Sequence, residues 1–211
     1  MVTGPLGMFP LFFKRTTDVI APCLRVVFRR LVRLGSFPTC WREANVTPIP
    51  KGLPSSSVAN YRPIFITSAL SKVFERLVSV RLGRFMERSG VLPTTEFAYR
   101  NGLSTCDALL CVSHTLPSAL ESGQEARIVQ IEFSVAFDKV NHLGILYKLR
   151  SVGIGGSVLS ILTQFLSNRS QQVMVDGCRS KLVNVVSGVL QGSVLGPRYC
   201  SSCTHQIFFP F

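Results

Sequence analysis

Apolar residues recur at helical spacing through much of this 211-residue chain. Between residues 18 and 34, Ile20, Cys23, Leu24, Val27, Phe28 and Leu31 follow an i, i+3, i+4, i+7 pattern, which predicts an amphipathic helix with Arg25, Arg29 and Arg33 opposite. Thr17 is placed to cap its start and Gly35 to stop its end, and Pro22 fits only within the first turn. A second helix is predicted over 68–88, where Leu70, Phe74, Leu77, Val78, Leu82 and Phe85 share a side on which Arg81 intrudes. A third spans 104–120, with Pro117 expected to bend or end it. Helical segments at 142–152 and 157–166 are separated by Gly153, Gly155 and Gly156.

Period-two alternation is cleanest over 127–133, where Val129, Ile131 and Phe133 alternate with Ile128, Gln130 and Glu132. This predicts a strand with Glu132 facing away from the Val/Ile/Phe side. Pro38, Pro48, Pro50, Pro54 and Pro63 forbid a long helix over 36–68 and leave short extended pieces at 45–49 and 64–67, around a Ser-rich loop at 55–57. Segments 171–175 and 181–186 flank Asp176-Gly177, a hairpin signal. Helices and strands mixed in this order mean α/β or α+β. By spacing, Phe74, Phe85 and Phe133 are core, and Cys106 and Cys111 are small core or semi-buried residues of the third helix. His114 reads as a packed or surface histidine.

Composition narrows the class. Hydrophobic content of 46% and a mean hydropathy of +0.32 exclude a disordered tail protein. No uncharged apolar run reaches the roughly 20 residues of a spanning helix. The first 13 residues contain Pro5 and Pro10 and lack a basic start, so they make a poor signal peptide. Seven irregularly spaced cysteines read as reduced thiols of an intracellular protein, nuclear or cytoplasmic, without a disulfide partner or a membrane. The net charge is +12, concentrated in residues 1–100, which hold 15 basic and 5 acidic residues against 8 and 6 in the remainder. Such a basic half suggests a surface that meets a polyanion; the plainer reading is arginines solvating helix faces.

Three clusters carry candidate chemistry: Lys51 with Tyr61-Arg62-Pro63-Ile64 and Arg100 beyond; Glu132-Phe-Ser-Val-Ala-Phe-Asp138; and Gly188-Val-Leu-Gln191-Gly192-Ser193-Val-Leu-Gly196-Pro197. Each is weak alone. Together with Gly35-Ser-Phe-Pro38, Trp41-Arg-Glu-Ala44, Pro48-Ile-Pro-Lys51, Asn60-Tyr-Arg-Pro-Ile64, Lys72-Val-Phe-Glu75, Phe97-Ala-Tyr-Arg100-Asn-Gly102, Ser104-Thr105 and Ala136-Phe-Asp138-Lys-Val-Asn-His142, they form one ordered series. The series resembles the reverse transcriptase domain of non-LTR (LINE-type) retrotransposons, from Gly4 to Pro197.

The resemblance implies an α+β (mixed) fold of polymerase fingers plus an incomplete palm, with no thumb. Its divisions are an N-terminal extension and basic helix (1–35), a fingers-like region (36–125), a partial palm (126–197) and a divergent tail (198–211). It implies an RNA-directed DNA polymerase acting on an RNA template, a DNA primer and dNTP, with Mg²⁺ as cofactor. Glu132 stands at the first metal and catalytic position, and Phe137 at the aromatic gate against a ribose 2′-OH. Asp138 matches a motif Asp that is usually not a ligand. Lys51, Arg62 and Arg100 match positions that reach the triphosphate. Gln191, Gly192 and Ser193 match the loop against the nascent base pair, and His142 serves the fold at a helix start.

Departures from the pattern bear on activity. Glu132 replaces Asp, and displacement by roughly an ångström can cost about 10²-fold. Leu190 replaces a Pro, loosening a turn, and Leu6 stands where Asp is usual. After Pro197 the text diverges, the paired-Asp hairpin is missing, and Asp176 is the single acidic residue after Asp138. The expectation is a fragment inactive by itself, with the 127–133 edge exposed and residues 201–211 poorly packed. The alternative is a non-catalytic basic remnant that binds nucleic acid without sequence preference. Cys200, Cys203 and His205 offer at most three ligands and read against zinc.

Overall fold

The computed structural model describes residues 4–53, 56–131 and 137–197. Helices α1 (Pro10–Arg15) and α2 (Thr17–Leu34) open the chain, followed by strands β1 (Glu43–Pro50) and β2 (Tyr61–Ile66) and helices α3 (Ala69–Arg88) and α4 (Thr105–Glu121). Helices α5 (His142–Ser151) and α6 (Gly156–Leu166) lead into strands β3 (Arg169–Val175), β4 (Cys178–Arg179) and β5 (Val183–Val185). The fold is mixed α and β. No described helix is long and apolar enough to cross a membrane, and Cys23, Cys40, Cys106, Cys111 and Cys178 are free and exposed.

The sheet runs in the order β2-β1-β3-β4, with β5 also on β3. β1 pairs antiparallel with β2, placing Val46 opposite Phe65 and Ile49 opposite Arg62, and parallel with β3. At the other end Val175 faces Cys178 across Asp176 (φ 47°) and Gly177 (φ 81°). Two left-handed residues make this the type I′ turn that the Asp-Gly pair predicts.

Gly35 ends α2 in the left-handed conformation, φ 60°, and a Cβ there would lie 3.0 Å from the Ser160 side chain. The residues after it lock α2 onto α6. Gln164 Oε1 accepts from the Phe37 amide at 3.1 Å, and its Nε2 donates to the Gly35 carbonyl at 2.8 Å. Phe37 and Trp41 then enter a ring cluster with Phe28, Phe74 and Phe165, at centroid separations of 5.4–6.3 Å. Arg169 is buried beneath it, donating to the Phe165 and Trp41 carbonyls at 2.8 and 3.3 Å. Burial with carbonyl partners is how a cation is tolerated there.

Several expectations need correction. Residues 127–131 form no strand, and Ile128, Val129 and Ile131 are 71%, 81% and 58% exposed. Alternation supplies two faces but no hydrogen-bonding neighbour, and no described strand pairs with this segment. Phe133 and residues 201–211 lie outside the described residues. Phe85 is 39% exposed and Leu77 49%, whereas Ser71, Glu75 and Met86 are buried. Phe74, Val78 and Leu82 of the predicted stripe are buried as expected, so the buried side of α3 overlaps the stripe and is shifted off its Leu77–Phe85 edge. Cys106 and Cys111 are exposed because α4 buries no residue, and α4 continues through Pro117. The α2 N-cap is Thr16 rather than Thr17, and Pro22 lies in the second turn, where the helix forgoes one amide hydrogen bond.

Arg25, Arg29 and Arg33 do not face away from the apolar side. With Arg81 they line an open groove of 1150 Å³ between α2, α3 and the start of α6, alongside Leu24, Phe28 and Leu82. Long arginine stems can cover apolar surface while the guanidinium stays in water.

The enclosed Phe74 and the half-exposed Phe85 of α3 make contrasting predictions. Phe74→Ala should lower unfolding free energy by about 3–5 kcal/mol, read from urea denaturation, because it empties a fully enclosed position. Phe85→Ala should cost well under half of that. Equal costs would return Phe85 to the core, as its spacing predicts.

Candidate nucleotide and nucleic-acid site

Segment 187–196 is held by three parts of the chain. At its start, Gly188 has φ +79°, and a Cβ there would lie 2.6 Å from the Asp138 carbonyl oxygen. Glycine is what lets this backbone lie against the 137–142 turn. The Gly188 amide donates to the Val140 carbonyl at 2.9 Å and the Val189 amide to the Phe137 carbonyl at 2.7 Å. His142 Nε2 lies 2.6 Å from the Gly188 carbonyl, which only accepts, so Nε2 carries the proton.

In the middle, Leu190 is buried with Ala44, Val46 and Phe65. Leucine at this position anchors the turn through its side chain, where the sequence predicts loosening. The Phe65 amide donates to the Gln191 carbonyl at 2.9 Å, and Gly192 (φ +103°) lies so close to β2 that a Cβ would be 3.1 Å from the Phe65 carbonyl. At the far end, Ser193 Oγ donates to the Leu190 carbonyl at 2.8 Å and accepts from the Gly196 amide at 3.1 Å. The Val194 and Leu195 amides donate to Glu75 Oε2 at 2.9 and 3.4 Å, and Ser71 Oγ donates to Glu75 Oε1 at 2.7 Å.

These bonds bring the 137–142 turn, β2 and Gln191-Gly192 together. Phe137 is half-buried against the main core, and Asp138 is exposed. Arg62 is exposed and shares a strand face with Ile64 and, across the ladder, Ile49 and Lys51, because residues two apart point the same way. Lys51 closes the end of the β1–β2 ribbon: its amide donates to the Asn60 carbonyl and its Nζ to the Ala59 carbonyl, both at 2.8 Å. Arg100 belongs to a separate turn, where its guanidinium donates to the Pro93 and Glu96 carbonyls at 3.0 and 3.1 Å. Gln191 is half-buried, Gly192 exposed and Ser193 buried. Glu132, and Cys200, Cys203 and His205, lie outside the described residues.

Sequence reading gave Glu75 no role beyond the family motif. On a helix surface a glutamate three residues after a lysine reads as a solvated pair; only the tertiary contact with 194–195, 119 residues away, reveals its part. It is fully enclosed, and burial pushes its carboxyl above the ordinary 4.5, while the Ser71 hydroxyl, the Val194 and Leu195 amides and the Arg169 charge pull it back. Among the described residues no group of three acidic, His or Cys side chains could hold a metal ion. Asp138 and the enclosed Glu75 therefore do not fit a two-metal centre without further ligands.

Two measurements probe this arrangement. Gly188→Ala should cost roughly 1–3 kcal/mol and accelerate hydrogen exchange at the Val189 amide, since a Cβ cannot coexist with the Asp138 carbonyl. Because the folded-state pKa of Glu75 is raised, the native state holds its proton longer than the unfolded chain. Its contribution to stability is complete below about 4.5 and is lost as pH rises towards the raised value. The stability difference between parent and Glu75→Gln, followed by urea midpoint against pH, should fall over that window; a flat difference would contradict it.

The comparisons with known proteins agree on one family. Residues 49–211 match the family described as reverse transcriptase (RNA-dependent DNA polymerase). The chain is 35% identical over 84% of its length to a probable RNA-directed DNA polymerase from transposon X-element of Drosophila melanogaster, covering 20% of that protein. It is 32% identical over 82% of its length to the RNA-directed DNA polymerase from mobile element jockey of the same species, covering 19% of it. A retrovirus-related Pol polyprotein from the type-1 retrotransposable element R2 of Popillia japonica is 29% identical over 77% of the chain, which covers 22% of it. The chain thus spans about a fifth of the length of these relatives. With the family matched over most of its residues, this chain belongs to the reverse transcriptase (RNA-dependent DNA polymerase) family, in the form carried by non-LTR retrotransposons.

Proposed function

We propose that this chain is the template- and nucleotide-handling part of an RNA-directed DNA polymerase, with fingers over 36–125 and palm over 126–197. RNA template, DNA primer and dNTP are its partners in this reading. The observation that carries it is the three-way attachment of 187–196, which joins the strand bearing Arg62, the turn bearing Phe137 and the Gln191-Gly192 tip. Gly192 is exposed beside β2 with no side chain to block an approaching base pair, and Gln191 sits next to it. Phe137 is braced by the core, as a gate that rejects a 2′-OH by contact must be. Arg62 supplies an exposed cation, and Lys51 and Arg100 supply two more once they exchange carbonyl partners for phosphate oxygens.

The family uses a divalent metal ion, in this reading Mg²⁺, which neutralises charge at the reacting phosphate. Glu132 is the carboxylate that the family pattern assigns to it. A second reading is favoured by the engagement of Lys51 and Arg100 with carbonyls: a basic, non-catalytic nucleic-acid-binding chain.

Fluorescence anisotropy with an RNA–DNA primer–template separates them. On the polymerase reading the hybrid binds with an affinity that falls steeply with salt, and the dNTP complementary to the template tightens it, while a mismatched dNTP does not. Arg62→Ala should weaken binding and lower the log–log salt slope by about 1. Salt-dependent binding indifferent to dNTP identity supports the second reading. A flat salt response removes both.

A further inference from the structure

We infer that Glu75 is a positioning residue that sets the Gln191-Gly192 tip against the nascent base pair by gripping the underside of segment 193–196. The inference rests on the polymerase reading above and adds to it a residue on a helix that does not itself face the nucleotide. Three observations carry it. Glu75 is fully enclosed, and both of its oxygens are engaged: Oε1 by the Ser71 hydroxyl, one turn earlier on the same helix, and Oε2 by the Val194 and Leu195 amides. Ser71 is itself fully enclosed, so the carboxyl cannot swing away without leaving a polar atom unmatched. The residues it grips lie immediately after the tip, and Ser193 ties them back to the Leu190 carbonyl on the other side of it.

A carboxyl at this depth is a poor choice for packing. Enclosing it is unfavourable, and an apolar residue of similar volume would serve a core at least as well. What a carboxyl offers instead is direction, because two adjacent amides converging on one oxygen fix the orientation of the backbone that carries them. The other limb of the segment is already fixed by Gly188 and Val189 on the 137–142 turn. Between these two anchors the tip is closed on itself by the Ser193 amide donating to the Leu190 carbonyl at 3.1 Å, and its backbone bond to another element runs from the Phe65 amide to the Gln191 carbonyl. With the Glu75 anchor removed, the tip would pivot about β2, and Gln191-Gly192 would no longer present one fixed surface. Exposed guanidinium and ammonium groups elsewhere would still attract a polyanion, so affinity for nucleic acid and recognition of the paired base should separate.

The experiment uses the 211-residue chain as parent and as Glu75→Ala, Glu75→Gln and Ser71→Ala. It reads hydrogen exchange over 190–197, affinity for an RNA–DNA primer–template, and the tightening produced by the complementary dNTP. Glu75→Ala should accelerate exchange at Val194 and Leu195 and reduce the dNTP-dependent tightening by roughly tenfold, the loss of one strong hydrogen bond, while hybrid affinity without dNTP changes less than about twofold. Glu75→Gln, which keeps an acceptor for the two amides and can meet Ser71, should restore both. Ser71→Ala should fall between them, and it decides the matter if Glu75→Ala does not fold. Unchanged exchange in Glu75→Ala or Ser71→Ala overturns the anchor. Accelerated exchange with undiminished dNTP response overturns the positioning role and leaves the polymerase reading standing. A parent chain that binds hybrid but ignores dNTP identity overturns the polymerase reading and this role together, with the exchange data still deciding the anchor.

Discussion

Segment 187–196 has to lie flush against three other pieces of backbone, and this constraint organises the molecule. Flush contact leaves no space for a Cβ at 188, where one would stand 2.6 Å from the Asp138 carbonyl, or for an ordinary one at 192, 3.1 Å from the Phe65 carbonyl. Main-chain bonds at 2.7–2.9 Å follow from that closeness: two to the 137–142 turn and one to β2. Hydrogen bonds of this kind contribute only about 0.5–1.5 kcal/mol each. Their value here is geometric, since they couple segments that lie 48, 52 and 126 residues apart in the sequence.

Such a junction needs a stiff base, and the ring cluster with Arg169 supplies it. Phe28 comes from α2, Phe74 from α3 and Phe165 from α6, with Phe37 and Trp41 from the connection between α2 and β1. Because Phe74 is one residue before Glu75, the helix that holds the cluster together also presents the carboxyl to Val194 and Leu195. The Gly35-Ser-Phe-Pro38 and Trp41 signatures therefore belong to packing: they dock α2 on α6 through Gln164 and fill the core with rings. Among the described residues, the motif segments 137–142, 187–192 and 60–66 are the ones joined by backbone bonds at 187–192.

Much of this was legible in the order of residues. Helical periodicity located α2, α3, α5 and α6 to within about two residues, Gly35 marked a left-handed stop, and Asp176-Gly177 marked the turn between β3 and β4. These are local properties, decided by side-chain period and backbone conformation. The buried side of α3 was legible in part: Phe74, Val78 and Leu82 are enclosed as their spacing predicts, whereas Leu77 and Phe85 are exposed and packing selected Ser71, Glu75 and Met86 instead. Polar residues can occupy an enclosed face when their partners arrive from a distant segment, and no periodicity records that partner. Residues 127–131 illustrate the converse: a good strand pattern without a described neighbour stays unpaired, since a strand is a property of two segments. Of the candidate site, the sequence motifs name the segments that the backbone joins, 188–189 to 137–140 and 191–192 to Phe65, whereas the local engagement of Lys51 and Arg100 had no signal in sequence.

That engagement bears on how cations can wait at such a site. Lys51 donates to the Ala59 carbonyl at an exposed position, so breaking this bond returns both groups to water at a net cost of about 1 kcal/mol or less. A bond from the same ammonium to a phosphate oxygen is charged on both sides, whereas its bond to the carbonyl is charge-assisted on the donor side alone. Exchange of carbonyl for phosphate is therefore downhill for Lys51. Arg100 has two carbonyls to leave and is half-buried, which makes its exchange harder. In the proposed reading the two cations are thus not equivalent: Lys51, at the end of the ribbon that carries Arg62, would answer an arriving polyphosphate without disturbing the fold, whereas Arg100 would do so only by opening the turn that it closes.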